Sequence, residues 1–450
     1  MEEKKLTLEA NDFAVGEESL LTVSSKYDSW KKTVCRTCGS KNLRPVFKMG
    51  EIAISDFPDR PDGQELSSPL DLYLCSNCTL VQLGHTVPPD LLFRTFWYRS
   101  GVTQSMKESL ADIVRGAKYH LSEEALYGFQ HNVRPFVLDI GANDGTLLSM
   151  YQEENVYKVG FEPATNLTDP SLPNSMWIQD YFNVEAIPIK FQQEFFIITA
   201  IAMFYDLDDP NRFLSHINRC IKKDGVFVIQ MNYLPAMLGS NAVDNICHEH
   251  LTYYTLFSLQ KLLNRHALYV YDAELNAVNG GSIRVYCGPK SGYGFSEQVN
   301  EILEREENGG FLTASGIEKA FENFEARLCS VGAKLAKYLE SQPGKKIYIC
   351  GASTRGNTTL QYLFYQAQDI FIGAGERDEK KWGRFTVATH IPIVPEEEAR
   401  ANADIMVVLP WHFKNEIIER EQEFLVRGGE LIFPLPELEI VRANVKEEVL

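Results

Sequence analysis

The chain has 450 residues, 61 acidic against 44 basic side chains and a formal net charge of −17. That length exceeds one ordinary core and predicts two or three domains, while the acidic balance argues against nucleic acid or an anionic membrane as partner, since both reward basic surfaces. The longest apolar run, Phe195 to Phe204, is broken by Thr199 and too short to span a bilayer, and the first residues lack an apolar signal core, so a cytoplasmic protein is expected.

Residues 1–32 are polar, acidic and aperiodic, and read as a flexible leader. Residues 33–95 carry Cys35-x-x-Cys38 and Cys75-x-x-Cys78, two knuckles whose four thiolates complete a tetrahedral zinc shell. A full shell leaves no position for substrate, so the single ion is expected to be structural. The 36 residues between the knuckles must then form an excursion stapled at its base. Nine cysteines, an odd number, fit a reduced metal protein better than a disulfide framework. Cys220, Cys287, Cys329 and Cys350 read as buried small apolar residues.

From 96 to 320 the pattern changes. A helix from Ser105 leads into strands at 136–140, 157–161, 194–199 and 225–230 with helices between them, the alternation of a doubly wound parallel sheet. Phe-Val-Leu-Asp-Ile-Gly-Ala-Asn-Asp-Gly-Thr at 136–146 runs an apolar strand into a glycine-bounded loop that opens a helix. Gly141 and Gly145 admit a ligand close to the backbone, and Asp139 can accept hydrogen bonds from a cation or a ribose. The Gly-x-Gly-x-x-Gly order of dinucleotide folds is not met. Glu162 falls 23 positions after Asp139, at the expected end of the next strand, where a carboxylate can hold two ribose hydroxyls. Further on, Cys247-His-Glu-His-Leu-Thr-Tyr-Tyr254 gathers titratable groups after a strand. Its His-Glu-His lacks the i, i+4 spacing of a zinc helix and suits proton chemistry better, or else a polar cluster capping a helix over 256–264. Asn279-Gly-Gly-Ser-Ile-Arg284 reads as a turn into a strand, with Arg284 available to a phosphate or carboxylate, or as a plain hairpin turn.

Residues 321–450 begin with apolar positions at three- and four-residue steps, Phe321, Phe324, Leu328, Val331, Leu335 and Leu339, which predict an amphipathic linking helix. Lys345 to Asn357 then starts a second strand, glycine loop and helix, and 405–409 and 430–433 supply further strands, predicting a smaller Rossmann-like α/β domain.

Asp139, the glycine loop and Glu162 resemble motif I and the following acidic residue of class I S-adenosylmethionine-dependent methyltransferases. Taken in order, the knuckles, Tyr98 before Ser100, the Leu-Asp-Ile-Gly loop, Phe-Glu-Pro, Glu-His, Gly-Gly-Ser-Ile-Arg-Val-Tyr and Gly-Ala-Ser-Thr-Arg-Gly-Asn resemble the zinc-containing nucleotide-sugar C-methyltransferases over nearly everything after residue 32. The resemblance implies a zinc-binding part, a central class I methyltransferase domain, a C-terminal Rossmann-like domain and methylation of the carbon beside the ketone of a nucleoside-diphosphate 4-keto-deoxyhexose, by a monomer. It assigns S-adenosylmethionine to Asp139, Gly141, Asn143, Gly145, Glu162 and Asp180, and makes His250 the general base beside Glu249. Tyr98, His248, Tyr205 and Tyr254 are candidates to polarise the ketone, Tyr98 first. Arg284, Arg355, Lys381 and Arg384 are candidate substrate contacts. The chain departs from relatives at Cys247, within Ala202–Tyr205 and at Val387-Ala388, which bears on sugar specificity. Two other readings stay open: an NAD(P)-dependent oxidoreductase of sugar nucleotides, and a zinc-ribbon adaptor with degenerate enzyme domains. The position methylated, the sugar and its nucleoside, and C- against O-methylation are not decided by the sequence.

Overall fold

A computed structural model describes residues 28–61, 65–131, 134–289, 294–364, 368–443 and 448–449. The leader expected over 1–32 falls almost wholly outside them. Strands β1 (Leu43–Ala53) and β2 (Ser67–Cys75) pair antiparallel, and β3 (Val81–Leu83) extends that sheet, so the excursion between the cysteine knuckles is a long β-hairpin. Its core side comes from β2, where Leu70, Leu72 and Leu74 alternate inward and are fully buried. The fourth strand of the sheet, Thr252–Tyr253, comes from far along the chain and pairs with β3. The hairpin also reaches forward: Ala53 N–H donates to Gln361 Oε1 (2.7 Å), Ser55 Oγ to the Thr354 carbonyl (2.8 Å) and Arg384 Nη1 to the Phe57 carbonyl (2.8 Å).

The central sheet holds β4 (Phe136–Ile140), β5 (Tyr157–Phe161), β6 (Ser175–Ile178), β7 (Phe195–Ile201) and β8 (Ile221–Asn232), then, after β9 (Thr252–Tyr253) of the zinc sheet, β10 (Tyr269–Asn276) and β11 (Ser282–Gly288). The spatial order is β10-β11-β8-β7-β4-β5-β6; β4 to β8 are parallel, and β11 enters antiparallel between β8 and β10. All five residues of β4 are buried, as in a strand covered on both faces. The chain leaves β4 towards β5 on one side and returns to β7 on the other, which makes a topological switch point, and the crevice outside the strands' carboxyl ends there is where open α/β sheets bind ligands.

Helix Ala314–Glu340 is capped by Thr313, whose side chain accepts from Gly316 N–H, and buries Ile317, Phe321, Phe324, Leu328, Val331, Leu335 and Leu339. The Phe47 ring of the zinc hairpin packs 5.2 Å from Phe324 and 6.3 Å from Phe321. Beyond it β12 (Ile347–Cys350), β13 (Phe371–Glu376), β14 (Ile393–Pro395), β15 (Ile405–Val408), β16 (Glu430–Phe433), β17 (Glu439–Val441) and β18 (Glu448–Val449) form a second seven-stranded sheet, ordered β14-β13-β12-β15-β16-β17-β18 with β12 to β16 parallel. Its switch point lies between β12 and β15.

Candidate active site between two crevices

Both switch points open into one cavity of about 1720 Å³. From the central sheet it is lined by Asp139, Gly141, Ala142, Ala202, Tyr205 and Asp206; from the C-terminal sheet by Gly351, Ser353, Arg355, Glu376, Pro410 and His412; and between them by Asn232, Asp244, Cys247, Glu249 and His250. Pockets for one small ligand run from about 300 to about 1,000 Å³. This one has room for two.

The glycine loop is built for close approach. Gly141 (φ +73°) and Gly145 (φ +77°) are left-handed, and a Cβ would meet Met203 Cγ at 3.1 Å in the first case and Pro170 Cγ at 2.5 Å in the second. Gly145 precedes helix Thr146–Ser149 but does not line the cavity. Asp139 Oδ1 accepts from Thr199 Oγ1 across β4 and β7 (2.6 Å). Burial pushes this carboxyl up to about 7 against that hydrogen bond, with Glu162 adding repulsion. Glu162 accepts main-chain N–H bonds on both oxygens, from Asn143 to Oε2 and from Ala164 to Oε1 (2.8 Å each), which holds the loop in place and leaves one lone pair on each oxygen. A ribosyl sulfonium ligand needs acceptors for hydroxyls, an ammonium and a positive sulfur; Asp139 lines the cavity beside the open glycine loop and offers one, while Glu162 lies outside the lining and holds that loop through Asn143 N–H. The residues fit S-adenosylmethionine.

Two expected cofactor residues do other work. The Asn143 side chain donates from Nδ2 to the Tyr98 carbonyl (3.1 Å) and accepts from Ser100 N–H (2.9 Å), so it holds the segment that carries Tyr98 at the cavity rim. Asp180 is outside the cavity lining and pairs with Arg94 at 3.5 Å.

His250 lines the cavity with its ring 4.3 Å from that of Tyr205. Its Nδ1 lies 2.8 Å from the Asn245 carbonyl, which only accepts, so Nδ1 carries the proton and Nε2 the lone pair. Burial pushes the imidazole down to about 3, opposed by that hydrogen bond and assisted by the Arg355 charge. Glu249 and Asp206 stand beside it in the lining, each with one buried oxygen lacking a hydrogen-bond partner among the described residues; burial raises both, and Glu249 raises Asp206 further.

Three expectations are corrected. His248 is buried, outside the cavity lining, and donates from Nε2 to the Ile52 carbonyl of β1 (3.0 Å), so it is a strut between the catalytic segment and the zinc hairpin. Tyr254 is fully buried in the core against Phe204 and also misses the cavity. Arg284 is spent inside the sheet on Glu274 (2.6 Å), Asp112 (2.9 Å) and Gln230 (2.8 Å), far from offering a free phosphate contact. Lys381 lines the cavity, but its Nζ donates to the Ala352 carbonyl (2.9 Å), pairs with Glu376 (3.3 Å) and sits over the Phe57 ring. Arg355 lines the cavity, pairs with Asp244 (2.5 Å) and has a buried Nε without a hydrogen-bond partner among the described residues. Asp206, Asp244 and His412 escaped the sequence reading; their shared signal was position, just after a strand or turn that ends at a crevice.

The four knuckle sulfurs lie within 4.8 Å of one another, with Cys35–Cys78 and Cys38–Cys75 at 3.5 Å. A tetrahedral zinc with bonds of about 2.3 Å sets sulfurs about 3.8 Å apart, so the cluster fits the ion. The knuckle is tied to the site. Arg36 Nε donates to Asp208 (3.2 Å), two residues after Asp206, and the Thr252 hydroxyl of β9 donates to the Tyr205 carbonyl (3.0 Å).

A glycine loop at the switch point of a mostly parallel sheet, opening on a cavity with a neutral imidazole, defines a methyltransferase of the Rossmann-like class. Residues 35–93 match the family described as "Putative zinc binding domain", 116–272 "Methyltransferase domain" and 277–436 "C-methyltransferase C-terminal domain". The chain is a zinc-binding, S-adenosylmethionine-dependent C-methyltransferase. It is 28% identical over 426 residues to "C-methyltransferase NovU" from Streptomyces niveus, covering 91% of this chain and 97% of that protein. Among solved structures, a Burkholderia thailandensis 1,6-didemethyltoxoflavin-N1-methyltransferase with S-adenosylhomocysteine aligns at 12% identity (46% of this chain, 94% of that one, TM-score 0.28), and a methyltransferase from Aquifex aeolicus at 14% (40% and 97%, TM-score 0.27). Among the described residues no helix is long and apolar enough to cross a membrane.

Proposed function

We propose that this enzyme methylates the carbon adjacent to the ketone of a nucleoside-diphosphate 4-keto-deoxyhexose through a base-generated enolate. The observation that carries the reading is the shared cavity: two ligand crevices, one at each sheet's switch point, face each other across His250. The central crevice takes the donor and the C-terminal crevice takes the nucleotide, its diphosphate near Arg355 and the amino end of helix Thr354–Phe364. Within this scheme residues 33–95 form the zinc-binding domain, 96–320 the donor domain, and 321–450 the linking helix and nucleotide domain.

S-adenosylmethionine supplies the electrophilic methyl group. His250 Nε2 receives the proton from the acceptor carbon, while Nδ1 stays bonded to the Asn245 carbonyl and keeps the ring oriented. A carbon acid beside a ketone yields its proton only if the enolate oxygen is stabilised, and Tyr98, held at the rim by Asn143, is the hydroxyl assigned to that oxygen.

Incubation with methyl-labelled donor and a panel of dTDP-4-ketohexoses tests this. Label should enter sugar carbon, and His250→Ala should abolish transfer while donor binding persists. Transfer that survives in His250→Ala refutes the assigned base.

A further inference from the structure

Asp244 lies in the short turn Val243–Asn245, immediately before the catalytic segment, and is 2% exposed. Its two oxygens point to two different elements of the C-terminal domain. Oδ2 pairs with Arg355 Nη2 at 2.5 Å, and Oδ1 accepts from Trp411 Nε1 at 3.2 Å. Arg355 sits in the first turn of the helix after β12, and Trp411 follows β15, so the two contacts straddle the switch point of the second sheet. Arg355 also donates to the Asn279 carbonyl (3.4 Å from Nη1), in the turn that precedes β11. The next residue, Asn245, does the opposite job within the methyltransferase half. Its carbonyl accepts from His250 Nδ1 (2.8 Å) and from the Tyr253 hydroxyl (3.4 Å), and its Oδ1 accepts from Asn232 Nδ2 (3.0 Å) at the end of β8.

We infer that Asp244 is a positioning residue that couples the nucleotide crevice to the base: through Arg355 and Trp411 it holds the Asn245 carbonyl where it selects the Nδ1–H tautomer of His250 and frees Nε2. The inference rests on His250 being the base. Its physical basis is adjacency. One peptide separates the residue clamped by the C-terminal domain from the carbonyl that fixes the imidazole, and a carboxylate this buried, with both oxygens engaged, has little freedom to move independently of its partners. Arg355 lines the crevice as well as pairing with Asp244, so occupancy of the crevice and orientation of the base share one ion pair. A misplaced base on an otherwise intact scaffold is sufficient to cost about a hundredfold in rate.

The test is nitrogen NMR of the full-length, zinc-loaded protein with labelled histidine, His250 being assigned by comparison with His250→Gln. Wild type should show His250 as the neutral Nδ1–H tautomer. In Asp244→Asn, which retains an acceptor for Trp411 but loses the ion pair, the signals should move to a mixture of tautomers, while the distant His216 is unchanged and S-adenosylmethionine binds as in wild type. Arg355→Gln, which leaves Asp244 in place, carries the same prediction should Asp244→Asn fold poorly, and the double variant should resemble the singles because the pair acts as a unit. With a competent acceptor, kcat should fall about a hundredfold in each. His250 signals identical to wild type in both single variants overturn the inference. Because this readout needs no acceptor, it is independent of the substrate reading, whose own failure would appear as absence of methyl transfer by the wild type.

Discussion

Replacing His248 by glutamine separates a strut from a catalyst. The amide retains one N–H donor for the Ile52 carbonyl, now 3.0 Å from Nε2, and removes a titrating group. In the wild type burial pushes this imidazole from its usual 6.5 down to about 4, opposed by the bond to Ile52 and assisted by nearby His85. A histidine whose folded pKa is lowered supports folding while neutral, and that support drains away as pH falls from the unfolded value towards the folded one, because the unfolded chain binds the proton first. With 6.5 unfolded and about 4 folded, the linkage relation gives a loss of about 2 kcal/mol between pH 7 and pH 5. Urea unfolding of both proteins at the two pH values measures it: the stability of His248→Gln relative to wild type should rise by about 2 kcal/mol on going to pH 5, and methyl transfer at pH 7 should persist. An unchanged difference at the two pH values would refute the buried neutral imidazole, and complete loss of transfer in a folded variant would return His248 to the catalytic set.

Zinc removal by chelation, or Cys75→Ser, should abolish transfer while donor binding is largely retained, because the knuckle anchors Asp208 and thereby the Tyr205–Asp206 wall; equilibrium binding beside turnover reads both. Donor affinity should strengthen as pH rises towards about 7 and then level, since a cationic ligand prefers Asp139 ionised and burial holds its pKa up; calorimetry in buffers of different ionisation enthalpy should detect proton release on binding near pH 6. Arg284→Met should lower stability by only about 1 kcal/mol, because Asp112 and Glu274 are half exposed and regain water when the guanidinium is lost, and should leave the acceptor KM near wild type; thermal unfolding and steady-state kinetics check the two halves.

Elements that announce themselves through spacing were legible in the sequence. The two Cys-x-x-Cys knuckles converge, the apolar run into Gly141 is a strand and loop, and the three- and four-residue rhythm from Phe321 is one long helix. What the sequence hid was commitment of charge. Nothing local distinguishes Arg284, satisfied by residues distant in the chain and outside the cavity, from Arg355 and Lys381, which are also paired but line it. His248 and His250 are two positions apart in an extended-to-turn segment, and only the tertiary fold decides that one faces the zinc hairpin and the other the cavity. Asp206, Asp244 and His412 carry no motif; they are found by asking which residues follow strands or turns at a switch point.

The atom that receives the methyl group distinguishes an enolate mechanism from transfer to a heteroatom. With ¹³C-methyl donor and a uniformly ¹³C-labelled 4-ketohexose nucleotide, the product of the wild-type enzyme should show direct carbon–carbon coupling between the new methyl and a ring carbon next to the ketone, and, with S-adenosylhomocysteine in place of the donor, solvent deuterium should replace the proton on that carbon of the unmethylated substrate in a His250-dependent manner. A methyl signal without carbon coupling, marking transfer to oxygen or nitrogen, would contradict it.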